Sequence, residues 1–320
     1  MTDGQAGAFV NQQSDTITFF TWNVRKNVDA LKLACQHLAG CSGTWIASFQ
    51  EPPTQVRDAD VQAWSSGKLK LLTASTNPAA VKPSPHVILI GSTTMGVDPT
   101  RAHKRAGTYD SERRMLGLSF FSNDGTWSNL QVLGVHGQDR YNSPTDAERG
   151  HWASCMRGTL DKFWKGGPLV VLGDLNANPF HDEITGRAGL HAVRKKDGIG
   201  ESRKLPQMQK SSISLYNPMW SLLVDDAGKA PGTYYHSSRT RTDLLWHCID
   251  QIIVSAHLEP HLIGGPEIQT HLTGDAVTSL VDSDGVPLRS KGEPVYSDHL
   301  PVQLSIDIKK VDVCRTSAKP

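Results

Sequence analysis

The sequence predicts an α/β protein in which mixed β-sheets are sandwiched by helices within one domain. Three observations support this fold class. Short runs rich in Val, Ile, Leu and aromatic residues alternate with a few amphipathic helical segments. Some runs are separated by helices and others are joined by short turns, which favours sheets that mix parallel and antiparallel strands. The chain contains no sequence repeat and no low-complexity linker that would divide its 320 residues.

The predicted strands have the length and the residue content of buried β-strands. A turn rich in Asn, Asp and Gly joins Arg114–Phe121 to Ser128–His136, so these two segments are predicted to form a hairpin. The predicted strands are Ile17–Trp22, Trp45–Phe49, His86–Ile90, Met115–Phe121, Leu130–Val135, Leu169–Leu172, Ile249–Ser255 and Val302–Ile308.

Two helices are predicted from apolar residues that recur on one face. The first follows Val28. The second begins at Ser143–Pro144, with serine as the N-cap and proline in the first helical position, and ends at Gly166–Gly167. The apolar stripes are Leu31, Cys35 and Leu38 in the first helix, and Trp152, Met156, Leu160 and Phe163 in the second.

The ends of the chain differ in composition from its centre. Residues 1–15 are polar and are expected to form a flexible arm, and residues 310–320 a flexible tail. Residues 16–309 are expected to form a single domain. Within it, the Lys- and Ser-rich stretch Arg194–Ser214 is predicted to be a long surface insertion, a kind of loop that is uncommon in compact domains and often functional.

Charge and cysteine content exclude several classes of protein. The formal net charge of +1 excludes a strongly basic nucleic-acid coat protein, although a local basic face is still compatible with it. The 5 cysteines form no CxxC motif, so neither a disulfide framework nor a zinc knuckle is indicated. No secretory signal opens the chain, and no apolar run approaches the roughly 18 residues that span a bilayer. We therefore expect a cytoplasmic protein without a membrane partner.

Polar residues of ligand or acid–base type fall at the ends of the predicted strands. In layered α/β folds, such boundaries are where distant parts of the chain assemble into a site. Each residue alone also fits an ordinary role, as a turn former, a solvated strand end, a cap or a member of a buried ion pair. The residues are Asn23, Glu51, His136, Asp174, Asn176, Asp250, Asp298 and His299.

The residue types in this set suit metal-assisted chemistry on a phosphate ester. Glu51, Asn23 and Asp298 offer the hard oxygen ligands that Mg²⁺ prefers, with Mn²⁺ as a substitute. Asp174 beside them can orient or deprotonate a water molecule. The set contains no Ser, Cys or Thr nucleophile with its own base, so attack by water is predicted.

The remaining polar residues suit the phosphate itself. His299 coupled with Asp250 can hold an imidazolium against developing negative charge. His136 and Asn176 can donate hydrogen bonds to non-bridging oxygens. The predicted catalytic set is therefore Asp174, His299, His136, Asp250 and Asn176.

The motifs that contain these residues resemble those of the endonuclease/exonuclease/phosphatase superfamily, which includes deoxyribonuclease I. In chain order they are FTWNV, SFQEPP, GVHGQ, VVLGDLNANP, IDQIIVS and YSDHLPV, and they extend from about Thr16 to Ile308. The resemblance implies a four-layer α/β sandwich with two mixed β-sheets face to face and helices outside. It also implies Mg²⁺-dependent phosphoester hydrolysis, with Glu51 as the principal metal ligand and Asn23 and Asp298 close to the ion.

One position departs from the pattern of the abasic-site endonucleases within this superfamily. Two residues after Asn23, those enzymes carry an acidic residue near the metal, whereas this chain has Arg25. Two consequences are open: Arg25 alters metal coordination, or it brings a cation beside the substrate. The departure weakens the abasic-endonuclease assignment and leaves the superfamily assignment unchanged.

Two further segments are candidates for contact with the substrate. The segment from Gly232 to Trp246 resembles the aromatic–basic segment that abasic-site endonucleases use against DNA, and a tyrosine-bearing strand with a solvated loop is the alternative. The basic run Arg101–Arg114 leads into a strand and ends in two arginines suited to clamp a phosphate. The predicted substrate-binding residues are Arg113, Arg114, Tyr234, Tyr235, Arg241 and Trp246.

These observations favour a Mg²⁺-dependent nuclease that cleaves phosphodiester bonds, with DNA favoured over RNA as the partner. A phosphatase or phosphodiesterase for a small or lipid-derived phosphate is the alternative. A third hypothesis is a catalytically silent binding module with the same fold. The sequence indicates no obligate protein partner.

Overall fold

In the computed structural model, the described residues are 16–72, 86–98, 114–123, 125, 127–139, 145–164, 167–194, 215–223, 229–236, 245–256 and 258–311. The strands are β1 (Thr16–Asn23), β2 (Thr44–Gln50), β3 (Leu69–Leu72), β4 (Val87–Ser92), β5 (Met95–Asp98), β6 (Met115–Ser122), β7 (Leu130–His136), β8 (Leu169–Asp174), β9 (Ala192–Val193), β10 (Leu215–Tyr216), β11 (Tyr234–Tyr235), β12 (Trp246–His247), β13 (Asp250–Ser255), β14 (Leu262–Ile268), β15 (His271–Thr273), β16 (Val277–Ser279), β17 (Arg289–Ser290), β18 (Glu293–Pro294) and β19 (Val302–Asp307). The α-helices are α1 (Val28–Gly40), α2 (Asp58–Trp64), α3 (Asp146–Phe163) and α4 (Asp182–Thr185), and 3₁₀ helices span Pro218–Leu222, Glu259–His261 and Ile308–Lys310.

Two large sheets contain most of these strands. The first has the strand order β14-β19-β1-β2-β4-β3, and the second has the order β5-β6-β7-β8-β13-β10-β9. In the first sheet β1 and β2 are parallel, and in the second β7 and β8 are parallel, whereas most other neighbours are antiparallel. Both sheets are therefore mixed, as the sequence predicts.

Three apolar clusters define four layers. The inner faces of the two sheets pack against each other through residues such as Phe19 of β1 and Val170 of β8. The outer face of the first sheet, which includes Trp22, packs against α1 and α2. The outer face of the second sheet packs against α3, whose buried Trp152 and Met156 belong to the predicted stripe. The predicted four-layer α/β sandwich is confirmed.

The central strands are buried on both faces, which explains their nearly continuous apolar sequences. In β1, Phe19 faces the other sheet while Phe20 and Trp22 face α1, as the two-residue period of a strand requires. Every predicted strand coincides with an observed one to within two residues at either end, and the predicted hairpin is the antiparallel pair β6–β7.

The prediction for the start of the second helix is wrong. Thr145, not Ser143, is the N-cap of α3, and the helix begins at Asp146. The Thr145 hydroxyl accepts a hydrogen bond from the Glu148 backbone N–H, and the Glu148 carboxylate accepts one from the Thr145 N–H. This capping box satisfies two donors at the helix start. The helix ends at Phe163, three residues before the predicted Gly166 stop.

Several predictions lie outside the described residues. They concern the arm 1–15, residues 312–320 of the tail, residues 195–214 of the surface insertion, Arg113 and Arg241. Within the described part of the chain, no helix combines the length and the hydropathy that a membrane span requires. The cysteines described there, Cys35, Cys41, Cys155 and Cys248, carry free thiols.

Candidate active site

The first sheet delivers three candidate residues to one edge. Strands β1 and β2 are parallel, and Asn23 pairs with Gln50. Asn23 and Glu51, the residue after Gln50, therefore lie side by side where the two strands end. Strand β19 is antiparallel to β1, so the segment just before it, which contains His299, reaches the same edge. The Ser297 hydroxyl fastens this segment by donating a hydrogen bond of 2.6 Å to the Asn23 carbonyl.

The second sheet delivers three more residues to the edge that faces the first. Strands β7 and β8 are parallel, and His136 pairs with Asp174 at their carboxyl ends. Strand β13 is antiparallel to β8 and begins at Asp250, directly opposite Asp174. The three side chains are buried. The strand-end pattern of the sequence therefore translates into one cluster between two sheet edges.

Asn23 connects the two sheets. Its Nδ2 donates to Glu51 Oε1 at 3.3 Å and to Asp174 Oδ2 at 3.0 Å. Its Oδ1 accepts the backbone N–H of Arg25 at 3.1 Å. In this arrangement the amide nitrogen faces the carboxylates, so Asn23 holds the Glu51 and Asp174 side chains together across the sandwich.

The backbone around the carboxylates is unusual. Glu51 has φ +46° and Asn176 has φ +50°, which are left-handed conformations that non-glycine residues seldom adopt. Gly173, directly before Asp174, has φ +149°, and a Cβ at this position would lie 1.8 Å from the Val135 carbonyl oxygen. Only glycine permits this approach of β8 to β7, which accounts for the glycine of the VVLGDLN motif.

His299 and Asp250 form a buried pair. His299 Nδ1 lies 2.9 Å from Asp250 Oδ2. Burial of the imidazole opposes its charge, but Asp250, with further contributions from Asp174 and Asp298, outweighs burial and raises the pKa of His299 to about 10. His299 is therefore an imidazolium at neutral pH, held against a fixed carboxylate.

Asp174 is buried beneath this pair. Burial raises the pKa of its carboxyl above the ordinary value, nearby Asp250 adds to the rise, and His299 opposes it. Hydrogen bonds from Asn23 Nδ2 and from the Asn176 backbone N–H, at 3.0 and 2.9 Å, orient its two oxygens. A carboxylate so placed has an enhanced affinity for a proton, which is what a base acting on water requires.

One ligand atom from each of Asp174, Asp250 and His299 lies within 4.8 Å of the others, a spacing that is compatible with a metal site among the described residues. We assign this trio to charge pairing instead. A histidine must be neutral to ligate a metal, and His299 Nδ1 already pairs with Asp250 Oδ2 at 2.9 Å. Its Nδ1 proton is directed at Asp250.

His136, unlike His299, is neutral. Burial, followed by the charges of Arg114, His86 and His299, lowers the pKa of His136 to about 3, so the ring is neutral. Its Nε2 lies 3.7 Å from Glu51 Oε1 and 4.0 Å from Asp174 Oδ2. A neutral imidazole facing two carboxylates can donate one hydrogen bond from Nε2–H to an oxygen placed between them.

Asp298 lies beside this cluster and pairs with Arg25. Arg25 Nη1 donates to Asp298 Oδ2 at 2.7 Å, and the other oxygen, Oδ1, is buried with no hydrogen-bond partner among the described residues. Of the two consequences open for Arg25, the structure supports an effect on the ligand set, because its guanidinium neutralises one predicted metal ligand. The Arg25 side chain is 45% exposed and also borders the solvent side of the site.

Three more of the predicted residues, Asn176, Arg114 and Tyr234, line the same edge. Asn176 donates from Nδ2 to the Gly137 carbonyl at 3.1 Å, and Arg114 donates to the same carbonyl at 3.2 Å. The Tyr234 ring contacts the His299 ring at an interplanar angle of 40°, with ring centroids 4.6 Å apart. Arg113 and Arg241 are not among the described residues.

Tyr235 and Trp246 face away from Tyr234. Strand β11 pairs with β12 so that Tyr235 lies opposite Trp246 and Tyr234 opposite His247. Consecutive residues of a strand point to opposite faces, so Tyr234 and His247 share the His299 side while the rings of Tyr235 and Trp246 contact each other at 5.1 Å. Tyr234 therefore lies in the site. Tyr235 and Trp246 contact each other on the opposite face of the β11–β12 pair.

Sequence reasoning missed three residues at this edge. His247 lies 6.1 Å from the Tyr234 ring, and the His86 ring lies 5.7 Å from that of His136. Thr233 Oγ1 accepts the backbone N–H of Asp250 at 3.0 Å and so fixes the start of β13. His247 could have been predicted, because it follows Trp246 in a strand and must therefore point to the opposite face. The position of His86 could not, because it depends on the pairing of β2 with β4.

The donor set fits a hard divalent cation. Glu51 presents a carboxylate that is one-third exposed, Asp298 has a buried oxygen without a partner, and Asp174 adds a third carboxylate. Oxygen donors of this kind suit Mg²⁺ better than Zn²⁺.

Comparison with solved structures finds the same fold in several proteins. An endonuclease/exonuclease/phosphatase family protein from Bacteroides thetaiotaomicron matches with a TM-score of 0.54 and 12% identity, over 91% of this chain and 97% of that chain. Truncated Caenorhabditis elegans TDP2 matches with a TM-score of 0.50 and 13% identity, over 91% and 97% of the two chains. The catalytic domain of human Nocturnin, with bound sulfate, matches with a TM-score of 0.50 and 15% identity, over 91% and 94%.

The sequence itself matches no protein-family model. It also has no significant match among curated proteins. At identities of 12 to 15%, the structural matches establish the fold. The chain thus has the fold of the endonuclease/exonuclease/phosphatase superfamily, which the sequence motifs imply.

Proposed function

We propose that this protein is a Mg²⁺-dependent hydrolase that cleaves phosphodiester bonds, and that it acts as a nuclease on DNA. The observation that carries the proposal is the convergence of a buried imidazolium–carboxylate pair with two further carboxylates at one edge of the sandwich. His299 and Asp250 form the pair, and Asn23 joins Glu51 to Asp174 directly beside it. A merely structural site has no use for this combination.

In the proposed site, Glu51 is the principal ligand of the ion, and Asn23 and Asp298 lie near it. The unpartnered Asp298 Oδ1 and the partly exposed Glu51 carboxylate support this assignment. Direct ligation by Asn23 requires its amide to turn, because the oxygen now accepts from Arg25. When bound, Mg²⁺ supplies positive charge to the phosphate and to the attacking water.

The chain's own residues perform the remaining tasks. Asp174 accepts a proton from the water whose oxygen attacks phosphorus, and its raised proton affinity suits it to this task. The P–O bond to the leaving ester oxygen breaks, and that oxygen takes up a proton from solvent. The His299 imidazolium, held by Asp250, balances the negative charge that develops on the phosphate oxygens. His136 and Asn176 donate hydrogen bonds to the non-bridging oxygens. Asn176 Nδ2 has a second hydrogen for this purpose, besides the one donated to the Gly137 carbonyl.

Nucleic acid, and DNA in particular, is the proposed substrate because aromatic and basic side chains border the site. The Tyr234 ring contacts His299, and Arg114 is close enough to His136 to lower the pKa of that histidine. Stacking and cationic contacts are what bases and phosphates require. The proposal needs no membrane and no obligate protein partner, and the cytoplasmic location expected from the sequence stays a prediction.

A hydrolysis panel with Mg²⁺ tests the proposal. Duplex, single-stranded and abasic DNA, RNA, nucleotides and inositol phosphates are offered to the wild type, to Asp174→Asn and to the exposed control Asp284→Asn. We expect cleavage of DNA by the wild type and the control, a loss of several orders of magnitude in Asp174→Asn, and abolition by EDTA. Preferential hydrolysis of a small phosphate would establish the alternative of a phosphatase or phosphodiesterase for small phosphates. If no substrate is hydrolysed, the hypothesis of a catalytically silent binding module is supported.

Salt dependence separates a polyanion from a small substrate. Contacts to several phosphates release counterions, so the logarithm of the DNA affinity should fall linearly with that of the salt concentration, with a slope of about −0.7 to −0.9 per phosphate contacted. A shallow dependence would contradict the nucleic-acid assignment.

A further inference from the structure

We infer that an aromatic platform beside the candidate active site binds an unpaired base of the nucleic acid on one side of the scissile phosphate. The platform consists of Phe180, His181, Trp220 and Arg194. The inference rests on the proposed function and goes beyond it by assigning a separate subsite for single-stranded nucleic acid. None of these four residues belongs to the metal, water or imidazole machinery.

The exposed ring of the platform is that of Phe180, which packs edge-on against His181 and at a tilt against Trp220. Phe180 is 48% exposed, an unusual position for a large apolar side chain. Its ring centroid lies 4.7 Å from that of His181 and 6.5 Å from that of Trp220. The guanidinium carbon of Arg194 lies 5.2 Å from the Trp220 ring centroid, in a cation–π arrangement. Aromatic faces and an exposed cation thus adjoin one another.

Hydrogen bonds fix the loop that carries Phe180. The Asn178 backbone N–H donates to His181 Nδ1 at 2.9 Å, and Asn178 Oδ1 accepts the Cys248 N–H at 2.8 Å. Asn178 is buried. The exposed Phe180 ring therefore belongs to an ordered loop. Because the loop is already ordered, little conformational entropy is lost in it when a ligand binds.

A single buried side chain connects the platform to the catalytic strand. Gln251, which directly follows Asp250, donates from Nε2 to the Ala177 carbonyl in the Phe180 loop. Its Oε1 accepts from Asn217 Nδ2 at 2.8 Å, and Asn217 caps the 3₁₀ helix that carries Trp220. Both halves of the platform are thus anchored to the strand that supplies Asp250.

The chain also limits how far the platform can be from the reaction. Phe180 is four residues after Asn176, so their Cα atoms are at most about 14 Å apart. Stacked nucleotides advance about 3.4 Å each along a strand. A base on Phe180 therefore belongs to a nucleotide within about four positions of the phosphate at the site.

The chemistry of the platform favours a polynucleotide over a protein segment. A polynucleotide repeats an aromatic ring and an anionic phosphate, and the platform offers an exposed ring beside an exposed guanidinium. A base stacks on an aromatic face regardless of its identity, so such a subsite binds without strict sequence preference. A protein segment that docks here is the competing occupant, and an unchanged oligonucleotide affinity in Phe180→Ala would favour it.

The test compares Phe180→Ala with a matched aromatic control. Phe121 is 38% exposed at the end of β6 remote from His136, so Phe121→Ala removes a similar ring far from the site. The probe is a fluorescein-labelled ten-nucleotide oligothymidylate, with anisotropy measured in Ca²⁺ to limit cleavage. Loss of base stacking should weaken binding by about 5- to 150-fold in Phe180→Ala and by less than twofold in Phe121→Ala.

Three further measurements make the result specific. Phe180→Tyr should restore binding to within about twofold of the wild type, because it retains the ring. Hydrolysis of bis(p-nitrophenyl) phosphate, which is too short to reach the platform, should be unchanged in Phe180→Ala. An abasic oligonucleotide should bind wild type and Phe180→Ala equally.

The outcomes distinguish the two proposals. If the wild type hydrolyses neither DNA nor the small diester, the proposed function fails. If the wild type cleaves DNA but Phe180→Ala keeps its affinity for the oligonucleotide, only the platform is refuted. An equal loss of affinity in Phe121→Ala, or an equal loss for the abasic strand, also refutes it, and absence of any single-strand binding by the wild type does so as well.

Discussion

His299 Nδ1 lies 2.9 Å from Asp250 Oδ2, and this contact joins the segment before β19 in one sheet to the first residue of β13 in the other. Both side chains are buried, so the interaction is weakly screened by water. Asp250 Oδ1 has no hydrogen-bond partner among the described residues, which leaves its charge directed mainly at the imidazole. The pair thus couples the two halves of the site electrostatically.

Replacing Asp250 by Asn should remove the charge that keeps His299 protonated. The pKa of His299 should fall from about 10 toward or below its ordinary value of 6.5, because burial then acts without the Asp250 carboxylate. We expect kcat to fall by about 10²- to 10³-fold, as is typical when a charge-stabilising group is lost. NMR titration of the imidazole checks the pKa, with Asp284→Asn as control. An unchanged pKa would contradict our account of the pair.

Acid should destabilise the protein through His136. Its folded-state pKa is about 3 and its ordinary value is 6.5, so the unfolded chain takes up a proton that the folded protein refuses. The free energy of unfolding should therefore fall as the pH drops from 6.5 toward 3, with a contribution of up to about 1.4 kcal/mol per pH unit. Urea unfolding of wild type, His136→Gln and the exposed control His271→Gln measures the slope. Only His136→Gln should lessen it.

Removing Arg25 should tighten the binding of a divalent cation. The guanidinium neutralises Asp298 at 2.7 Å, and its loss frees a carboxylate for the ion. We expect Arg25→Ala to bind Mg²⁺ or Mn²⁺ roughly tenfold more tightly, equivalent to about 1.4 kcal/mol, while the free energy of unfolding changes by no more than about 1 kcal/mol. Calorimetric titration checks this, with Arg57→Ala as a control at another Arg–Asp pair. Weaker binding in Arg25→Ala would assign Arg25 a supporting role instead.

Truncating Thr145 should destabilise α3. The hydroxyl accepts the Glu148 N–H at 3.2 Å, and loss of an N-cap of this kind costs about 0.5–2 kcal/mol. Chemical denaturation should show that decrease in the free energy of unfolding for Thr145→Ala. Ser143→Ala, which removes the residue that local sequence rules favour as the cap, should have little effect. The reverse ranking would restore the sequence-based start of the helix.

The strands could be predicted because a strand that is buried on both faces has a nearly continuous run of apolar residues in the sequence. Residues 17–22 and 169–172 are buried at every position, and all of them except Thr18 and Thr21 are apolar. The start of α3 was harder to predict, because Ser143–Pro144 and Thr145 both satisfy local rules. The actual cap is Thr145, whose hydroxyl accepts the Glu148 backbone N–H and whose own N–H donates to the Glu148 carboxylate.

The sequence by itself determined which residue types stand at the strand ends, from Asn23 to His299, and the apolar runs that form those strands. Only the tertiary structure decided their partners. Arg25 meets Asp298 across 273 positions, Asn23 meets Asp174 across 151, and Gln251 joins two loops that no local pattern connects. The physical reason is that hydrogen bonds and charge pairing act over a few ångströms in space, so their partners depend on how the two sheets are packed against each other.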